Sequence, residues 1–194
     1  LQNVRSYTKE DKSDAPQYRE VVNNFNNIDG TDNAVARKRG NARVSTVSRW
    51  TDPAKLNTQW IDQTVMTTTA FDTSGRAIDQ TQGIFVYNGT ALVQATRNVI
   101  KNLNYDNRGD AATQQITSYK ITSGVAELID HKVMTNRTYD VTHNITNQMV
   151  LTYNLPADST PLDVQEIRSS GYNAQGLAAQ QVIVTYSGYD SVNN

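Results

Sequence analysis

The chain repeats itself. Phe71-Asp72-Thr73-Ser74-Gly75 returns as Tyr105-Asp106-Asn107-Arg108-Gly109, as Tyr139-Asp140-Val141-Thr142-His143 and as Tyr172-Asn173-Ala174-Gln175-Gly176, at intervals of 34, 34 and 33 residues. A period of this kind dictates architecture, because one short unit cannot bury its own apolar face and must lean on its neighbours. Other positions keep the same phase. Six residues past each opening aromatic stand Ala77, Ala111, Ile145 and Ala178, then Gln80, Gln114, Gln148 and Gln181, then a second aromatic at Phe85, Tyr119, Tyr153 and Tyr186. Upstream of each opening aromatic sits an apolar residue: Met66, Ile100, Met134 and Ile167. A degraded earlier unit opens near Phe25 and runs through Gly40 and Ala42 to Trp50, and Gln2 through Tyr7 reads as the tail of another.

Each unit carries two turn signals and two strand-like runs. Asp52-Pro53, Asn88-Gly89, Ser123-Gly124 and Asp158-Ser159 mark the second turn. Asn-Gly predicts a type I′ hairpin, which needs positive φ at both central residues. In the opening turn the fifth position, a glycine in three units, calls for the same region, and His143 is a residue type that tolerates it. Between turns, Val99, Lys101, Leu103 and Tyr105 alternate with Ile100, Asn102 and Asn104, the period of a strand. Long amphipathic helices have no counterpart in the pattern. The expected fold is therefore all-β: residues 1–194 as a single array of tandem ~34-residue hairpins, forming an antiparallel meander that spirals into an elongated sheet. Residues 26–39 run longer than their counterparts and are expected to form an extended, projecting hairpin tip.

Composition fits sheets with wet faces. Apolar residues make up 37% and charged residues 19%, and ten Tyr stand against three Phe, so the aromatics are expected half buried with hydroxyls in water. A net charge of −1 offers no attraction to phosphate or anionic lipid, which argues against a nucleic-acid partner. No run approaches the ~18 apolar residues of a membrane helix, so membrane insertion is not expected. Cysteine is absent, which removes disulfides, thiolate metal sites and cysteine nucleophiles.

Chemistry finds few footholds. His131 lies beside Asp130 in a strand run and His143 in a turn, and these two are the only histidines. Neither suggests a triad or a metal centre, so neither an enzyme nor a cofactor is expected. Calcium is the one metal worth naming, on the oxygen-rich Asp29, Asp32 and Asn33, although the spacing is not that of an EF-hand. Arg108-Gly109-Asp110 spells an integrin-type tripeptide on a turn, and Arg37-Lys38-Arg39 is a basic cluster on a loop. Asn88, Asn136 and Asn144 begin Asn-x-Ser/Thr sequons. The recurring Phe71, Tyr105, Tyr139 and Tyr172, with the glutamines and second aromatics, are expected to stack as ladders between neighbouring units.

The aromatic-Asp-x-x-Gly motif, clearest at Phe71–Gly75 and Tyr105–Gly109, resembles the YD repeats of Rhs and teneurin-type proteins and also the units of giant repetitive bacterial surface proteins. The resemblance spans about Phe71 to Tyr186 and implies stacked hairpins in a secreted or cell-surface protein, in some members a shell around a toxin. YD units are shorter than the period found here. The two ends of the chain also read as halves of one hairpin: Tyr189, Asp190 and Val192 resemble the start of a repeat turn, and Leu1, Gln2, Val4 and Tyr7 the end of the strand that follows it. A processed or excised segment, or subunits completing each other's hairpin, is expected on that basis. The leading expectation is thus an extracellular, bacterial structural protein. It would be a filament subunit or a segment of a surface fibre, whose partner is another copy or more of the same polypeptide. An adhesin or glycan-binding module using Trp50, Trp60 and the 26–39 tip is the alternative, and a YD-type shell fragment enclosing a toxin the second.

Overall fold

A computed structural model describes residues 2–6, 17–27, 29–52 and 54–187. Eleven strands account for most of them: β1 Gln2–Ser6, β2 Gln17–Asn24, β3 Val44–Trp50, β4 Trp60–Phe71, β5 Ala77–Tyr87, β6 Leu92–Tyr105, β7 Ala111–Thr122, β8 Val125–Tyr139, β9 Ile145–Tyr153, β10 Asp163–Ser170 and β11 Gln180–Thr185. One six-residue helix, α1 (Ala34–Arg39), interrupts them between β2 and β3. The strands pair in chain order from β1 to β11, and β1 is not joined to β11, so the meander stays open. This is the all-β antiparallel meander that the periodicity predicts.

The chain divides into two compact units, one of Leu1–Asn98 with Tyr119–Glu127 and the other of Val99–Ser118 with Leu128–Asn194. In the first, register places Met66 opposite Gln82, Val65 opposite Gly83 and Gln63 opposite Phe85. In the second, Met134 faces Val150, Val133 faces Leu151 and His131 faces Tyr153, while Ile167 faces Ile183 across the next pair. Successive side chains of a strand point to opposite faces. Met134–Val150 and Val133–Leu151 therefore lie on opposite faces, and each face carries an apolar stripe between polar rows. A sheet so patterned has two half-wet faces rather than one dry one. Burial agrees: Trp50, Ala111, Met134, Leu151 and Val164 are the buried apolar residues among those described.

Irregularity is confined to strand ends. The ladder slips between Thr68 and Phe71 in β4 and between Thr135 and Tyr139 in β8, both just ahead of an opening aromatic, and also between Arg49 and Trp50 at the end of β3. Asn136 in the second slip has φ 51°, and Asn104, just before Tyr105, has φ 55°. Extra residues of this kind bend a strand and increase its twist. The strict alternation read for Val99–Tyr105 therefore ends at Asn104.

Two turn expectations are corrected. The type I′ geometry falls on Ser123-Gly124, with φ of 52° and 81°, and not on Asn88-Gly89, where Gly89 alone is positive. The longer 88–91 loop lets the Asn88 carboxamide oxygen accept from the N–H groups of Thr90 and Ala91, both at 2.9 Å, an Asx turn that needs no left-handed asparagine. The 26–39 segment does lie at the tip of the β2–β3 hairpin, but it is helical over Ala34–Arg39 rather than strand and turn throughout. Asn33 caps α1 by accepting from the Ala36 N–H at 2.9 Å, Gly40 closes it at φ 73°, and Arg37, Lys38 and Arg39 occupy its last turn. Cations there suit the negative end of a helix.

Candidate functional site

The recurring turn is the best-defined construction in the molecule. In each copy the main chain makes a type I turn followed by a left-handed residue, the three-residue hairpin loop with a bulge. The N–H of Asp72 donates to the Arg76 carbonyl and that of Gly75 to the Asp72 carbonyl, both at 2.9 Å. The same two bonds recur at Asp106–Asp110, Asp140–Asn144 and Asn173–Leu177. His143 fills the left-handed slot at φ 67°, as its turn position implies. A degenerate copy with the same main-chain bonds runs from Asn27 to Thr31, so the unit expected near Phe25 has Asn26 in its aromatic slot.

The acidic residue after the aromatic organises this loop. One Asp72 oxygen accepts from the N–H groups of Ser74 and Arg76 at 2.9 and 2.8 Å. Asp106 does the same for Arg108 and Asp110, Asp140 for Thr142 and Asn144, and Asn173 for Gln175 and Leu177. Donors aimed at a carboxylate stabilise its charged form. The N–H of Arg76 holds Asp72 below the usual carboxylate range, the N–H of Asp110 does so for Asp106, and the Asn144 side chain leads the stronger depression of Asp140. These acids were legible as a motif, yet their structural task was missed: reading the motif for its aromatic and glycine left the carboxylate unassigned.

Within the second unit, consecutive turns are tied together. Tyr139 donates its hydroxyl to the Ala111 carbonyl at 2.8 Å, and Tyr172 donates to that of Ile145. In each case the acceptor lies six residues beyond the preceding unit's opening aromatic. Arg108 donates to the Asp140 carbonyl, and the His143 Nδ1 meets the Asp110 carboxylate at 2.8 Å. Half burial raises the Tyr139 phenol above its ordinary value, so the hydroxyl keeps its proton. Tyr105 is half buried on β6, and Phe71, 37% exposed, has no hydroxyl to donate.

The glutamines do not form the expected ladder. Gln80 donates to the Thr68 hydroxyl at 3.2 Å, Gln114 to Asn102 at 2.8 Å and Gln181 to Ser169 at 3.2 Å, always to a polar residue twelve positions earlier, on the other side of the opening turn. The Gln148 oxygen is buried without a hydrogen bond. Geometry explains the correction: Gln148 and Gln181 lie on β9 and β11 with β10 between them, about 10 Å apart, so like residues cannot touch. The twelve-residue interval to a polar partner was the available signal. Second aromatics also pair with unlike neighbours: Tyr119 lies under the Arg97 guanidinium at 4.7 Å, the Tyr153 ring is 6.1 Å from His131, and the Tyr186 hydroxyl bonds Glu166 at 2.9 Å. Phe85 faces Gln63.

The remaining candidates are each engaged locally. His131, buried, meets the Thr117 hydroxyl at 2.9 Å, and desolvation lowers its pKa. Asp29 accepts from the N–H and hydroxyl of Thr31, Asp32 pairs with Arg37, and Asn33 caps α1, so the three calcium candidates serve separate bonds. No group of three or more His, Asp or Glu side chains at metal-binding distance occurs among the described residues. Asp110 of the Arg-Gly-Asp sequence is 8% exposed and turned to His143, so the tripeptide is not presented. Trp50 is 5% exposed and packs on Trp60 with ring centroids 4.4 Å apart, so it is no open platform for a sugar. Gln2 and Val4 pair with Val21 and Arg19 of β2, while Leu1, Tyr7, Tyr189, Asp190 and Val192 lie outside the described residues. The YD-like resemblance rests on the turn motif alone. Comparison with protein-family models, curated proteins and solved structures finds no match for this chain.

Proposed function

We propose that this chain is a non-catalytic structural segment of a β-hairpin repeat fibre, working outside the cell or on its surface and extended by adding strands. One observation supports the reading above the others: Tyr139 and Tyr172 make the same bond to the same position of the preceding unit. A joint defined by place in the repeat works for any number of units, which an extended array requires. The open strand order is in keeping with it, since an unclosed meander keeps edges where further strands add.

Duplicating residues 105–138 in frame tests the reading. The lengthened protein is expected to stay soluble, with an unchanged β signal per residue and a urea m-value that rises with length. An inserted copy that remains unfolded and is clipped by protease would refute it, because the joint would then not be a general rule.

A further inference from the structure

The irregular stretches 25–27 and 33–43 build a concave site in the first unit. They lie against the turn that opens the following regular repeat and line with it an open recess of about 390 Å³. That volume is in the range of small-molecule sites. Its apolar wall is Phe25, Val35 and Phe71. Val35 is 60% exposed and Phe71 37%, so two large apolar side chains stay open to water in one recess.

Three donors border the same recess: Arg39, Asn41 and Arg43. The Gly75 turn shows that the first two converge, since a Cβ built on Gly75 would lie 2.2 Å from the Asn41 amide nitrogen and 3.6 Å from an Arg39 guanidinium nitrogen. Arg43 stands on fixed main chain, its N–H bonded to the Asn24 carbonyl and its carbonyl to the Thr68 N–H. Among the described residues no carboxylate pairs with Arg39 or Arg43. The acids nearby are already spent, Asp32 on Arg37 and Asp29 on Thr31. Two unpaired guanidiniums beside a primary amide form a donor set for one carboxylate.

We propose that this cavity binds a small amphipathic anion, an apolar body bearing one carboxylate. The body covers Phe25, Val35 and Phe71, and the carboxylate takes N–H bonds from Arg39, Arg43 and Asn41. This goes beyond the fibre role and does not depend on it: the site lies in one irregular segment, and the joints lie elsewhere.

Calorimetry with 2-naphthaleneacetate and its neutral counterpart 2-naphthaleneacetamide tests the proposal. The acid is expected to bind one-to-one, at least tenfold more tightly than the amide. Replacing both arginines (Arg39→Gln with Arg43→Gln) is expected to erase that preference. Val35→Asp is expected to weaken both compounds, with far-UV circular dichroism unchanged in each variant. No saturable binding of the acid at millimolar concentration would overturn the proposal. So would amide binding within twofold of the acid, a comparison that needs only the unaltered protein, or acid binding untouched by the folded variants.

Discussion

Removing one hydroxyl, Tyr139→Phe, isolates the joint between turns. The ring and its burial stay, and only the 2.8 Å bond to the Ala111 carbonyl is lost. Ala111 is 8% exposed, so water does not freely replace the donor. Arg137 also donates to that carbonyl at 3.3 Å, a longer bond that keeps the oxygen from being orphaned. A net hydrogen bond is worth about 0.5–1.5 kcal/mol, and an abandoned buried acceptor costs about 1–3. With Arg137 in place the first range applies, and a loss of about 1 kcal/mol is expected. At a urea m-value near 2 kcal/mol per molar, the midpoint should fall by about 0.5 M with m unchanged. Tyr172→Phe should lower stability comparably, since its hydroxyl makes the equivalent bond to Ile145. Urea unfolding followed by circular dichroism reads both variants. Midpoints within about 0.1 M of the parent would refute the claim that these hydroxyls tie successive units.

Other outcomes follow from the same geometry. Gly75→Ala places a Cβ 2.2 Å from the Asn41 amide at φ 83°, whereas Gly89→Ala at φ 94° meets open space. Both bear the left-handed penalty of about 1–2 kcal/mol, but only the first must also displace a neighbour, so its urea midpoint should fall further. Leu151→Ala should cost about 2–3 kcal/mol, the low end for a buried leucine because a thin sheet relaxes easily, while Val141→Ala at 89% exposure should stay within about 0.5. Acid should loosen the turns in a defined window. Asp72, Asp106 and Asp140 have folded pKa values below the unfolded one of about 3.9, so their stabilisation is complete above it and is lost as pH falls through the folded values. Urea midpoints should therefore begin to ease below about pH 6.5, as the unfolded chain protonates His131 more readily than the folded one, and drop again below about 4, with Asp140→Asn flattening part of that second drop. A profile level down to pH 2 would contradict the role given to these carboxylates.

The periodic part of the molecule was legible because strand alternation and turn chemistry are local. Ile100, Met134 and Ile167 mark strands by spacing alone, and the glycine slot of the turn foretold a left-handed backbone even where His143 occupies it. What escaped was what depends on a partner strand. Gln148 and Gln181 looked like ladder residues, but a two-strand unit places its equivalents a whole strand apart, and the glutamines bond polar residues such as Ser169 instead. Asn88-Gly89 carried the strongest hairpin signal, yet two extra loop residues let the asparagine side chain take over the turn. The 25–43 segment was hardest to read, because α1 is too short to declare a helical period and its cavity needs Phe71 and Gly75 from a distant turn. Trp50 looked like a surface aromatic only because nothing local shows Trp60 folding over it.

Electron microscopy of the native material, recorded beside the intact mass of the polypeptide, tests the fibre reading most directly. Filaments are predicted, built either from one much longer repeat chain or from chains of 21.6 kDa joined edge to edge. Discrete monomers of that mass, with no filament at any concentration, would contradict it.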